Sequence, residues 1–146
     1  MTVECDGQGN AAELQAWLDS NGGASASDDC SAISWSNDYS ALSDGCGATG
    51  SVTVTFTVTD GCSNSNSTSA TFTIADTTDP VFDQSLPEDT TEECSNVSDA
   101  AVLTASDGCG SANVVLNEEM IPGDCPGEYT ITRTWTAMDE LSLIHI

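Results

Sequence analysis

The chain has almost no positive charge. Arg133 is its one basic side chain, set against 24 acidic residues among 146, for a formal charge of −23. Such a surface repels phosphate backbones and anionic lipid, which excludes nucleic acid and membrane surfaces as partners while leaving cations open. No run of about 18 apolar residues occurs, so no helix is expected to insert into a bilayer. Met1 is followed by TVECDG rather than by a charged and then apolar segment, so any export signal is expected to lie outside this sequence. Histidine is reduced to His145, and Ser-His and Cys-His nucleophilic pairs are lost with it. No glycine-rich phosphate loop opens a helix. The pattern provides no apolar pocket around any carboxylate, so the raised-pKa acid of a glycosidase has no seat. The chain reads as non-catalytic, with no cofactor required.

Cysteine, by contrast, is plentiful. Seven cysteines point to an oxidising, extracellular compartment, because thiols stay reduced in the cytosol and contribute no cross-links there. Their spacing is regular: Cys30, Cys46 and Cys62 fall 16 apart, as do Cys109 and Cys125, and a further 16 reaches Leu141. An offset of 79 carries Cys30 onto Cys109 and Cys46 onto Cys125, and it lays TFTVTDGC (55–62) on TWTAMDEL (134–141). The chain is therefore read as two copies of one module, each opened by a further cysteine, Cys5 and Cys94. The expected divisions are 1–77, 78–140 and a tail, 141–146.

Leu141 stands where a complete second copy would carry an eighth cysteine. One reading makes LSLIHI a native apolar last strand of a module that lost a bridge. The other ends the native sequence near Glu140, since LSLIHI shares nothing with TSATFTIADT and resembles the translated remnant of a sequencing adapter. We carry the second forward: 141–146 is expected to be non-native, His145 to carry no chemistry, and the second module to lack its last strand.

Strand signals dominate. SVTVTFTVTD (51–60) alternates Val52, Val54, Phe56 and Val58 against threonines, and TSATFTIADT (68–77) alternates through Ala70, Phe72 and Ile74, which predicts a hairpin with one face in a core. Shorter strands are expected at 2–5, 24–27 and 32–39, and in the second copy at 89–94, 100–107, 113–120 and 127–139. Asn10 and Glu13 have the capping-box spacing, with Leu14, Trp17 and Leu18 on one face and Gly22 as C-cap, predicting a helix over about 11–20 that decorates the first module. The expected fold is all-β: two tandem immunoglobulin-like antiparallel sandwiches.

A module of about 75 residues buries little apolar surface, so cross-links are expected to supplement the core. If successive strand ends alternate between the poles of such a sandwich, the pairs are Cys5–Cys46, Cys30–Cys62 and Cys94–Cys125, with Cys109 unpaired. Each would close a loop worth roughly 3–4 kcal/mol in the chain-entropy model. Pairing in sequence order is the rival, and zinc is disfavoured because no C-x-x-C occurs. Arg133 falls opposite Val54 at the 79 offset, where an ion pair with Glu118 or Glu119 would satisfy it.

The linker DTTDPVFDQSLPEDTTEEC (76–94), with the DGCG and TDGCSN turns, resembles the cysteine-rich, HYR-like immunoglobulin-type repeats found in tandem in large secreted bacterial surface proteins. The resemblance covers residues 2–140. It implies a secreted, cell-surface structural or adhesive role, with neighbouring repeats of the same chain, and surface glycans or proteins, as partners. It departs from that pattern in the last turn, where Asp-x-Cys-Gly-Asn is usual but copy one has DGCSN and copy two ends in DEL.

Two ligand readings follow from the residues. Asp76, Asp79, Asp107 and Asp139 are placed near one end of the second module, where oxygen donors could take Ca²⁺; alternatively they only form turns and solvate the surface. Trp35 and Tyr39 lie an even number of residues apart, so on one strand they would share a face, the arrangement of a carbohydrate-binding accessory module.

Overall fold

The computed structural model describes residues 1–141 and the backbone of 144–145. The expectation that 141–146 is non-native falls largely outside these residues. The chain is mostly β, 38% strand and 9% helix, and divides into two compact units, Met1–Thr77 and Thr78–Ile146.

In the first unit the alternating threonine-rich runs form a long hairpin, β3 (Gly50–Asp60) and β4 (Ser65–Ala75), after β1 (Thr2–Glu4) and β2 (Ile33–Asn37). The pairing sets Val52 opposite Phe72 and Val54 opposite Ala70, so the apolar set of both strands lies on one face. β2 pairs antiparallel to β3, while β1 runs parallel to β4. The sheet, in the order β1-β4-β3-β2, is therefore mixed, not wholly antiparallel. Residues 24–27 form no strand.

What covers the sheet differs from the expected sandwich. Helix α1 (Ala11–Asp19) lies on its apolar face, where Trp17 meets Phe56 edge-on at 5.3 Å and Phe72 at 5.4 Å between ring centroids. Trp17 is 5% exposed, while Val54, Phe56 and Phe72 are 0% exposed. Each such side chain contributes about 1.5–3 kcal/mol of hydrophobic stabilisation. The helix is thus half of this core and not a decoration. The physical reason is volume: one indole over two phenyl rings fills the space a second sheet would otherwise need.

Asn10 also departs from its expected role. It has left-handed φ of 49° and makes no side-chain cap bond. Instead its buried amide donates to the Glu4 carbonyl at 2.8 Å and accepts from the Asp6 amide at 3.2 Å, tying β1 to the helix start. At the other end Ser20, not Gly22, takes the C-cap, and its hydroxyl donates to the Trp17 carbonyl at 2.9 Å. Gly22, with φ +67°, passes so close to Phe56 that a Cβ there would sit 2.5 Å from the ring.

The second unit contains β5 (Val81–Phe82), β6 (Ala105–Ser106), β7 (Asn113–Pro122), β8 (Tyr129–Met138) and β9 (Ile144–His145). Residues 89–94 form no strand, and only 105–106 of the expected 100–107 does so. The pairing repeats that of the first unit at the 79 offset. Ser34↔Thr59 becomes Asn113↔Met138, and Val58↔Asn66 becomes Ala137↔His145. β7, β8 and β9 thus correspond in register to β2, β3 and β4.

The chemistry laid over β8 is different. Arg133 Nε donates to Glu118 Oε1 at 2.7 Å and its Nη2 to the Ser98 carbonyl at 2.7 Å. Trp135 Nε1 donates to the Ala101 carbonyl at 3.0 Å, and the Tyr129 hydroxyl to that of Cys94 at 3.3 Å. Side-chain donors of β8, bonded to the carbonyls of a loop, therefore do here what Trp17 does apolarly in the first unit.

Candidate functional site

The cysteines were the first candidates. Cys5 and Cys109 make the disulfide, and Cys30, Cys46, Cys62, Cys94 and Cys125 are exposed free thiols. The expected bridges Cys5–Cys46, Cys30–Cys62 and Cys94–Cys125 are therefore not formed, and Cys109 is bonded, not unpaired. The pole argument nevertheless placed its strand ends correctly in the first unit. Cys5 donates its amide to the Ala75 carbonyl at 2.8 Å, and Cys46 precedes the Gly50↔Ile74 pair, so both lie at one end of the sheet. They do not join: the Cys5 sulfur is bonded to Cys109, and Cys46 sits in an exposed turn, its carbonyl accepting from the Thr49 amide and hydroxyl. Cys30 and Cys62 share the opposite end: Ile33 pairs with Asp60, and the Gly61 amide donates to Ser31 Oγ at 3.1 Å. Cys94 and Cys125 lie in solvent, Cys125 in a turn closed by the Glu128 amide on its carbonyl at 3.1 Å.

Carboxylates beside these cysteines form a second repeat. Asp28 Oδ1 accepts from the amides of Cys30 at 2.9 Å and Ser31 at 2.6 Å. Asp60 Oδ1 accepts from those of Cys62 and Asn64, each at 2.8 Å, and its Oδ2 from the Asn64 side chain. These bonds to the charged form hold both aspartates below their ordinary value, backbone amides leading for Asp28 and the Asn64 side chain for Asp60. At the 79 offset, Asp107 Oδ1 accepts from the Cys109 amide at 2.7 Å and Asp139 Oδ1 from that of Leu141 at 2.8 Å. The repeated D-x-C spelling carried this signal, since an aspartate two residues before an amide is the Asx-turn arrangement. Asp28 and Asp60 were missed as its first-unit members.

Of the four aspartates expected to hold calcium, the structure brings Asp107 and Asp139 together, with carboxylate oxygens within 4.8 Å. Asp79 is exposed and outside that group, and Asp76 follows β4 half-buried. Asp107 Oδ2 is buried and has no hydrogen-bond donor, an orphaned oxygen of the kind a hard cation satisfies. Two carboxylates within ligand reach fit calcium in donor type, although Ca²⁺ takes 6–8 oxygens.

Trp35 and Tyr39 separate. Trp35 lies in β2 and lines a shallow cavity of about 130 Å³ with Phe56, Val58, Asn66, Ser67 and Thr68. Tyr39 falls beyond the end of β2 and lines no part of it, so the even spacing does not make a shared face. No family model, curated protein or solved structure matches the chain.

Proposed function

We propose that the chain is a non-catalytic part of an extracellular structural or adhesive protein, its two related units serving as a disulfide-stabilised spacer between neighbouring repeats of the same chain. The observation that carries this reading is the shared strand register at an offset of 79. A pairing scheme kept while core and turn residues change is what a tandem array of one module produces. The resemblance to HYR-like repeats points the same way, and a disulfide is consistent with an extracellular location. Within this reading the repeat is an immunoglobulin-like module modified by α1 in its first copy. A Ca²⁺ ion held by Asp107 and Asp139 would neutralise local charge in a chain of formal charge −23.

The second reading, a carbohydrate-binding accessory module, rests on Trp35 beside the amide of Asn66 and the hydroxyls of Ser67 and Thr68. A single ring over about 130 Å³ is small against the roughly 300–1,000 Å³ of ordinary ligand clefts. The spacer is therefore preferred.

One experiment separates them. Protein secreted into an oxidising medium and digested without reduction should yield the Cys5–Cys109 cross-link. Pulled from its two ends, it should release less contour length before reductant than after. Fully reduced cysteines, or a contour length indifferent to reductant, would remove the spacer reading. Retention on a polysaccharide matrix that is lost in Trp35→Ala would install the alternative.

A further inference from the structure

The cover over the first sheet stops short of one end. Val54, Phe56 and Phe72 are fully buried, whereas Ile33, Trp35 and Val58, on the same face of β2 and β3, are only half-buried. Two shallow cavities of about 130 and 200 Å³ adjoin there, sharing Ala26, Val58 and Asn66. Trp35 lines the first, and Ile33, Asp28 and Asp60 line the second. Together they make one groove, with an indole in one half and two carboxylates in the other.

The strand register brings these groups within reach of a single ligand. Trp35 pairs with Val58 and Ile33 with Asp60, so Trp35 and Asp60 are diagonal cross-strand neighbours, about 7–8 Å apart or less. Asp28 is tied to the same turn through Ser31, whose hydroxyl donates to Asp28 Oδ1 at 3.1 Å and accepts from the Gly61 amide at 3.1 Å. All three hydrogen bonds that Asp28 accepts end on Oδ1, and among the described residues Oδ2 has no donor.

Charge then selects the occupant. The amides of Cys30 and Ser31 keep Asp28 ionised although the Asp60 charge opposes it, so two mutually repelling anions share one groove. The cationic groups among the described residues are committed elsewhere, Arg133 to Glu118 and the Ser98 carbonyl, and the Met1 ammonium to the Thr71 carbonyl. A bare metal ion would use the carboxylates and leave Ile33, Val58 and the indole without a partner. A cation on an alkyl stem uses all of them, its charge on the carboxylates, its stem along the aliphatic side chains and its face on the ring. A guanidinium suits the site better than an ammonium, because its flat fork both stacks and donates to two carboxylates.

We propose that this groove binds an alkylguanidinium, such as an arginine side chain, between Asp28 and Asp60 and against Trp35. The spacer reading rests on strand register and is independent of this site, while the carbohydrate alternative assigns the Trp35 cavity a neutral ligand instead.

The probe is Nα-acetyl-arginine amide, titrated into the intact, isotopically labelled chain, with the citrulline analogue as its neutral isostere. The arginine probe should give saturable shifts at the Trp35 indole and at the amides of Cys30, Ser31, Cys62 and Asn64, and the citrulline probe should bind about tenfold more weakly or worse. Asp28→Asn keeps an oxygen for the turn amides, and Trp35→Leu keeps an apolar wall. Each should weaken the arginine probe by about two- to fivefold, with the β3 and β4 amide signals otherwise retained. A Gly-Arg-Gly peptide that binds as well as the capped amino acid would point to a protein side chain as the source, and one that binds worse to a free small molecule. Either keeps the guanidinium. Equal binding of citrulline, or unsaturable shifts spread over the acidic surface, would overturn the proposal. So would displacement by equimolar Ca²⁺ at fixed ionic strength, because the carboxylates would then be a metal site.

Discussion

Trp17→Ala tests whether α1 is core or ornament. Trp17 is 5% exposed and contacts two rings that are themselves fully buried, Phe56 and Phe72. Truncating a buried aromatic to alanine costs about 3–5 kcal/mol, the sum of lost transfer energy and the cavity left behind. A unit of the length of Met1–Thr77 has roughly 4–12 kcal/mol of net stability at typical values per residue. The loss is therefore about a quarter of the total or more. At a urea dependence of about 2 kcal/mol per molar, the midpoint of the first unit should fall by about 2 M. Hydrogen exchange of β3 and β4 amides is the cleaner readout, because it reports this unit and does not rely on the tryptophan removed. Protection there should drop by two orders of magnitude or more, with β7 and β8 as internal reference. A loss below about 1 kcal/mol would return the helix to the surface role its sequence suggested and leave the first unit's core without an explanation.

Two further outcomes follow from the carboxylates. Asp6, Asp28, Asp60 and Asp83 are held below the ordinary 3.8, and Glu92 below 4.5, by the hydrogen bonds they accept. A depressed folded value contributes stability that is complete above the ordinary carboxylate range and lost as pH falls through the lower folded values, so the denaturation midpoint should hold from pH 7 to about 4.5 and decline below about 4; a flat profile to pH 3 would contradict the bonding described. For the cation, Ca²⁺ at about 10 mM should stabilise the second unit by roughly 1.4–2.7 kcal/mol if the affinity is the 10⁻⁴–10⁻³ M of extracellular modules. Asp107→Asn should abolish that gain, and an unfolding midpoint that ignores calcium in the unsubstituted chain would withdraw the ion from the proposed function.

The strand pattern was legible because a sheet's period is short and local. Alternation through Val52, Val54, Phe56 and Val58 names the strand, and Phe72 and Ile74 name its partner, with no knowledge of what lies above them. The lid over that face was not legible. An apolar face asks to be covered, but its alternation is the same whether an indole on a helix or a second sheet does so, and the sandwich was an inference from strand count. Asn10 misled for a related reason: the capping box is a local spacing, while the amide's bonds to Glu4 and Asp6 depend on where β1 lies. Cysteine pairing failed at the same boundary. Spacing placed Cys5 with Cys46 and Cys30 with Cys62 at common sheet ends, but a disulfide also needs a particular distance and direction between the two Cβ atoms, which spacing along the chain does not specify.

Comparing the two units at the 79 offset shows where sequence stops determining structure. The register is the same whether Val54 and Phe56 or Arg133 and Trp135 stand at the equivalent positions, because main-chain pairing and the outward threonines fix it. The covering layer is not the same. Arg133 has to keep a guanidinium satisfied, and it does so with Glu118 on β7 and the Ser98 carbonyl of a polar loop; an apolar helix face in place of that loop would leave the donors beyond Nε without a partner. A pair exposed by 23% and 47% contributes little net stability, on the order of 0–1 kcal/mol. The second unit consequently derives less from its lid than the first does from Trp17.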